Sequence, residues 1–159
     1  MTRKEQYNQL ILQIAGLIKD ETNLVGILAN VSAALHDTFP ERFFWVGFYL
    51  QENGNMLRLG PFQGSVACYV IPFGKGVCGK AWEEGCTIIV PDVEKFPGHI
   101  ACSSISRSEI VVPMYDDSHT FRGVLDIDST RLNDFNEDDK EGLERIIELL
   151  MAETQDLFQ

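Results

Sequence analysis

Apolar positions between Tyr7 and Leu35 recur at helical spacing. Tyr7, Leu10, Ile11, Ile14, Leu17 and Ile18 share one face, and Leu24, Ile27, Leu28, Val31 and Leu35 share another. The polar run Asp20-Glu21-Thr22-Asn23 separates the two and offers capping side chains, so the pattern predicts two helices. From residue 43 the period shortens. Residues 43–50 are aromatic and β-rich, Glu52-Asn53-Gly54-Asn55 reads as a turn, and 56–59 as a short strand. Further strands are expected at 68–71, 87–90, 109–114 and 123–128. Helical spacing returns from Asn136 to about residue 158, with Leu143, Ile146, Ile147 and Leu150 as the buried stripe. Asn136 is a cap, and the acids Glu137, Asp138 and Asp139 behind it suit the positive end of the helix dipole. Terminal helices around five or six strands predict an α+β domain. It would have one antiparallel sheet, the helices on one face and a pocket on the other. The whole chain, 1–159, reads as a single domain without repeats or linkers.

Composition narrows the function classes. The formal net charge of −11 opposes a nucleic acid or an anionic membrane surface as partner. No apolar run approaches the ~20 residues of a membrane span. The first residues, Met1-Thr2-Arg3-Lys4-Glu5-Gln6, turn amphipathic without the apolar core of a signal peptide. A cytosolic location is therefore expected. Cysteines are kept reduced there, and conspicuous ones are more often catalytic or metal-binding than structural.

Of the four cysteines, Cys68, Cys78, Cys86 and Cys102, three are conspicuous: Cys68, Cys78 and Cys102 fall close together, each beside a glycine or alanine. None of the intervals between them resembles the close C-x₂₋₄-C pairs of zinc modules, and His99 alone reads as a solvated loop histidine, so no metal centre is expected. Cys86 reads as a small packed hydrophobe. Cys102 lies in an irregular connection, 93–107, and long connections of this kind are disproportionately functional. Gly74-Lys75-Gly76-Val77-Cys78-Gly79 matches the dinucleotide pattern G-x-G-x-x-G. Only a short helix can follow before Gly85, however, too short for the crossover that such a fold needs. A tight turn into a short helix is the better reading, with Cys78 near an N-terminus that would favour its thiolate.

Two acids, Asp126 and Asp128, interrupt the apolar run Gly123-Val124-Leu125-Asp126-Ile127-Asp128-Ser129. Alternation sets both on the face opposite Leu125 and Ile127. Glu109 opens the preceding strand and can join them. An exposed sheet face would accommodate such acids. Around a pocket they would recognise a cationic group such as an α-ammonium, or keep one carboxyl protonated by crowding so that it donates a proton. A divalent metal ranks lower, because no further oxygen-ligand motif is nearby. Trp45 and Tyr49 share one strand face, with Phe44 and Phe48 on the other. One set is core and one can line a pocket; periodicity does not say which.

Taken together, Trp45-Val46-Gly47-Phe48-Tyr49, Leu59-Gly60-Pro61-Phe62-Gln63-Gly64, Ala67-Cys68, Gly76-Val77-Cys78-Gly79, Phe96-Pro97-Gly98-His99-Ile100-Ala101-Cys102, Ser108-Glu109-Ile110-Val111-Val112-Pro113 and the Asp126-Ile127-Asp128 strand resemble free methionine-(R)-sulfoxide reductase. That is a stand-alone GAF-domain family, and the resemblance covers nearly the whole chain. Ser103 departs from the Asp that the family usually carries after its cysteine. The resemblance implies a GAF-like sheet and reduction of free methionine (R)-sulfoxide. In that reaction Cys102 attacks the sulfoxide sulfur and becomes a sulfenic acid. Cys78 would be the first resolving partner and Cys68 the second candidate. Glu109, Asp126 and Asp128 would bind the substrate ammonium or polarise its oxide, and Trp45 and Tyr49 would cradle the methyl thioether. No bound cofactor is implied, and thioredoxin would be the external reductant; separately, the amphipathic terminal helices can pair between subunits, so a homodimer is expected. The rivals are a ligand-sensing regulatory GAF module without catalysis and a redox switch without a substrate.

Overall fold

The capping chemistry written at both ends of the chain forms in the computed structural model, which describes residues 1–158. Helix α1 (Arg3–Ile18) opens on Thr2, whose hydroxyl accepts from the Glu5 N–H while the Glu5 carboxylate accepts from the Thr2 N–H. Asn23 caps α2 (Leu24–Thr38) by accepting from the Gly26 N–H. The chain then runs through β1 (Trp45–Glu52), β2 (Met56–Gln63), β3 (Val70–Pro72), α3 (Gly76–Glu84), β4 (Ile88–Val90), β5 (Ser108–Tyr115), β6 (Phe121–Ser129) and α4 (Glu137–Thr154). Several boundaries differ from expectation: β2 runs on to Gln63, and β1 spans Trp45–Glu52 in place of 43–50. The strand expected at 68–71 begins only at Val70, which leaves Cys68 in the loop before it, and the last helix gives way at Gln155 to a single 3₁₀ turn.

All six strands pair antiparallel in the order β3-β2-β1-β6-β5-β4. The α+β architecture expected from the sequence is therefore the one observed. Strands β1, β6 and β5 form the centre, so their residues are buried on both faces. Their alternate side chains Val46, Phe48, Ile110, Val112, Leu125 and Ile127 face α1, α2 and α4 and join the larger core. The opposite face carries Trp45, Tyr49, Val111 and Val124 and is covered by α3 and the loops around it, making a second, smaller core. The glycine-rich segment resolves as the tight turn. Gly74 and Gly76 have φ of +74° and +62°, which side chains rarely adopt. The Gly74 N–H donates to the Gly79 carbonyl, and the resulting α3 is too short for a dinucleotide crossover.

The terminal helices are tied to the sheet by a buried charge network. Asp139, fully buried in the first turn of α4, accepts from Arg42 at 3.0 Å, from Arg3 at 2.7 Å and from the Tyr7 hydroxyl at 2.7 Å. It also accepts from the Asn136 N–H, completing the cap. The Arg42 guanidinium lies over Phe39, Phe43 and Phe135, which leaves its Nη1 buried without an acceptor. Substituting Asp139→Asn removes the more buried of the two carboxylates paired with that cation, leaving Asp134 alone at 3.2 Å. We expect a loss of about 3 kcal/mol or more, read as a lowered midpoint in urea unfolding. Arg3→Ala, at the solvent edge of the same network, should cost no more than about 1 kcal/mol.

Candidate active site

Strand register assembles the floor of a pocket on the smaller-core face. Glu109 of β5 pairs with Asp128 of β6, while Asp126 lies between Val111 of β5 and Gly47 of β1. Like charges directly opposite one another oppose strand pairing, and these acids are also withdrawn from water. Burial, and then repulsion from Asp128, pushes the Glu109 carboxyl up to about 8. Burial, and then the charge of Glu109, raises Asp126 well above the usual carboxylate range, and burial with Asp126 does the same for Asp128. Glu109 therefore holds a proton at neutral pH, and ionisation of both aspartates is disfavoured. Gly47, opposite Asp126, gives the aromatic side of the pocket room: a Cβ there would fall 2.2 Å from the Phe62 Cβ and 2.9 Å from the Trp45 ring.

The aromatic pair that faces this floor is Trp45 and Tyr49. Phe48 faces the helices, and Phe44 packs at the margin of the smaller core instead of beside Phe48. Both pocket aromatics are buried, with ring centroids 5.9 Å apart. Their polar ends hold one loop. The Trp45 Nε1–H donates to the Ser65 carbonyl at 3.0 Å, and the Tyr49 hydroxyl donates to the Cys68 carbonyl at 2.9 Å. The backbone that carries Cys68 is thus fixed from β1.

The thiols depart from expectation. Cys102 is joined in a disulfide to Cys68, with Cα atoms 5.6 Å apart, and not to Cys78. Cys68 and Cys102 lie on two loops that meet over the pocket, whereas Cys78 is anchored in the first turn of α3, beneath them. Nor does the helix N-terminus favour a Cys78 thiolate. Burial, and then Asp126, Glu109 and Asp128, drive that thiol well above its ordinary value, and a fractional dipole charge does not outweigh them. Cys86 is a free, exposed thiol and not a packed one, because Gly85 ends α3 in a left-handed cap at the surface.

His99 was read as a solvated loop residue, and it belongs to the site. Its Nε2 is 3.7 Å from Glu109 Oε1, and burial lowers its pKa, so the ring is neutral at pH 7. The available signal was its place three residues before Cys102. Cys78, Glu109 and Asp126 each offer a ligand atom within 4.8 Å of the others. With the disulfide closed, the enclosed cavity is only about 40 Å³.

Residues 21–152 match the GAF domain family. The chain is 55% identical to GAF domain-containing protein A of Dictyostelium discoideum, across 94% of this chain and 92% of that protein. It is 43% identical to a free methionine-R-sulfoxide reductase of Saccharomyces cerevisiae, across 94% and 86%. Its fold superposes with a TM-score of 0.93 on the free methionine-R-sulfoxide reductase of Neisseria meningitidis in complex with its substrate, at 46% identity over 98% of this chain and 92% of that one.

The cysteine arrangement can be read directly. Alkylation of the native oxidised protein should label Cys86 alone, and Cys78 should react only after unfolding. Digestion without reductant should yield one cross-linked peptide pair, containing Cys68 and Cys102. A Cys78–Cys102 pair would contradict this geometry.

Proposed function

This chain belongs to the GAF-domain family of free methionine-R-sulfoxide reductases, and we infer that it reduces free methionine (R)-sulfoxide by thiol chemistry over the β5–β6 floor. One observation carries the assignment of residues: a disulfide between two loops roofs a pocket whose floor is the buried carboxyls of Glu109 and Asp126 with Asp128 beside them.

The reaction is balanced by those groups. The Cys102 thiolate attacks the sulfoxide sulfur while a protonated carboxyl gives its proton to the oxygen. Oxygen passes to the cysteine sulfur, methionine leaves, and Cys102 becomes a sulfenic acid. The Cys68 thiol then attacks that sulfur, water departs, and the disulfide forms. An external dithiol, thioredoxin in our reading, restores both thiols by exchange. The protein needs a reducing surrounding for this cycle, which suits a cytosolic location. Among the described residues no helix is long and apolar enough to cross a membrane.

Roles within the floor follow from charge. A substrate ammonium entering between the acids favours their ionised forms. Glu109, pushed up to about 8, close to a working pH, is the proton donor in this reading. Trp45 and Tyr49 supply the apolar wall for the methyl thioether. A cavity of about 40 Å³ has room for about three waters, each of which needs ~10–15 Å³, and not for an amino acid. The substrate therefore enters only after the disulfide opens and the two loops part.

Consumption of NADPH with thioredoxin, thioredoxin reductase and free methionine (R)-sulfoxide tests the assignment, with the S epimer and peptide-bound sulfoxide as controls. We expect turnover for the free R form only. In Cys102→Ser, methionine formation should fall to background. Cys68→Ser should still yield about one methionine per chain before stalling, as expected of a covalent intermediate without its partner. Full steady-state turnover in Cys68→Ser would overturn the assignment of the resolving thiol.

The pH dependence has a defined sign. The rate should fall as pH rises through about 8 and Glu109 loses its proton. Glu109→Gln should remove that limb and slow turnover by roughly 10²–10⁴. Stability moves with it: the folded state holds the extra proton between about 4.5 and about 8, so unfolding free energy declines as pH rises across that window. Glu109→Gln should flatten the decline in a denaturant series.

A further inference from the structure

Cys78 is left without a part in the thiol cycle, although it lines the same pocket. We propose that Cys78, Glu109 and Asp126 form a binding site for a thiophilic first-row divalent cation, zinc foremost. The three side chains come from α3, β5 and β6, and all are more than nine-tenths buried. One atom from each lies within 4.8 Å of the others. A second observation is independent of that clustering: Asp126 Oδ1 is buried, points into the pocket and has no hydrogen-bond donor. A lone pair held in that state calls for a cation or a proton.

The donor set selects the metal. Magnesium and calcium take oxygen alone, whereas one thiolate with two carboxylates suits a borderline ion such as zinc or cobalt. Zinc holds sulfur at ~2.3 Å and oxygen at ~2.0–2.2 Å, which sets tetrahedral ligand atoms about 3.3–3.7 Å apart. Closing from the present spacing takes a shift of roughly an ångström, within reach of side-chain rotation. The fourth place faces the loop side, where His99 stands 3.7 Å from Glu109. On binding, the thiol proton leaves to solvent and a sulfur–metal bond forms, with no change of oxidation state. Occupation by a cation excludes a substrate ammonium from the same carboxylates, so zinc would inhibit turnover. That consequence rests on the reductase reading, whereas the binding itself does not.

The test is titration with cobalt(II) chloride. It uses the full-length protein carrying Cys86→Ser, with the Cys68–Cys102 disulfide intact so that Cys78 is the one remaining thiol. We expect a saturable thiolate-to-cobalt charge-transfer band in the near ultraviolet, bleached by one equivalent of zinc and abolished by Cys78→Ser. Asp126→Asn, which keeps the thiol, should weaken cobalt binding at least tenfold while the band remains. Absence of a saturable band, a band that survives Cys78→Ser, or unchanged affinity in Asp126→Asn would each overturn the proposal. Circular dichroism of each variant identifies one that has lost its fold. Because no step measures turnover, a protein inactive toward methionine sulfoxide could still pass, and an active one could still fail.

Discussion

Three carboxyl groups withdrawn from water on neighbouring strands are the constraint around which this protein is built. Strand alternation sends Glu109, Asp126 and Asp128 to one face, and antiparallel register brings them side by side. Left alone, such a group would splay the strands or flood the site. The opposite face prevents this, because Val46, Phe48, Ile110, Val112, Leu125 and Ile127 are locked against three helices. A one-residue slip would expose that entire set. The apolar face fixes the register, and the register forces the acids together. With charge disfavoured by both burial and repulsion, the acids answer by keeping protons. The result is a set of carboxyls in which ionisation is costly until an opposite charge arrives.

Rigid and movable parts divide along the same lines. The acids, Trp45 and Tyr49 stand on central strands, where position is defined to a fraction of an ångström by neighbours on both sides. Cys68 and Cys102 stand on loops, where two sulfurs can meet, separate and meet again. The hydrogen bonds from Trp45 and Tyr49 to the carbonyls of Ser65 and Cys68 connect the two regimes. They leave the Cys102 loop as the freer partner, held at its base by the Val93 and Arg107 backbone bonds. Cys102 is thus carried by a loop that lacks the hydrogen bonds from Trp45 and Tyr49.

Cys78 shows how environment overrides local position. A cysteine in the first turn of a helix is ordinarily primed as a thiolate. Here the same residue faces three acids in a dry pocket, and the thiol form wins. A proton can be displaced from such a group by a stronger cation, which is why the thiol and its acids together read as a metal site.

Much was legible in the order of residues, because helical and strand periodicities are local. The terminal helices, their caps, the six-stranded α+β plan, the glycine turn and the opposition of both aspartates to Leu125 all follow from spacings of a few residues. The resemblance of its motifs further identified the family. What periodicity left open was decided in three dimensions. Which aromatics line the pocket depended on which sheet face the terminal helices covered. His99 became part of the site only because its loop folds back over Glu109. Cys86 is exposed because of the cap before it. The partner of Cys102 lies 34 residues away in the chain, and loop closure over that distance is set by the elements that anchor the loops. No spacing between cysteines encodes it.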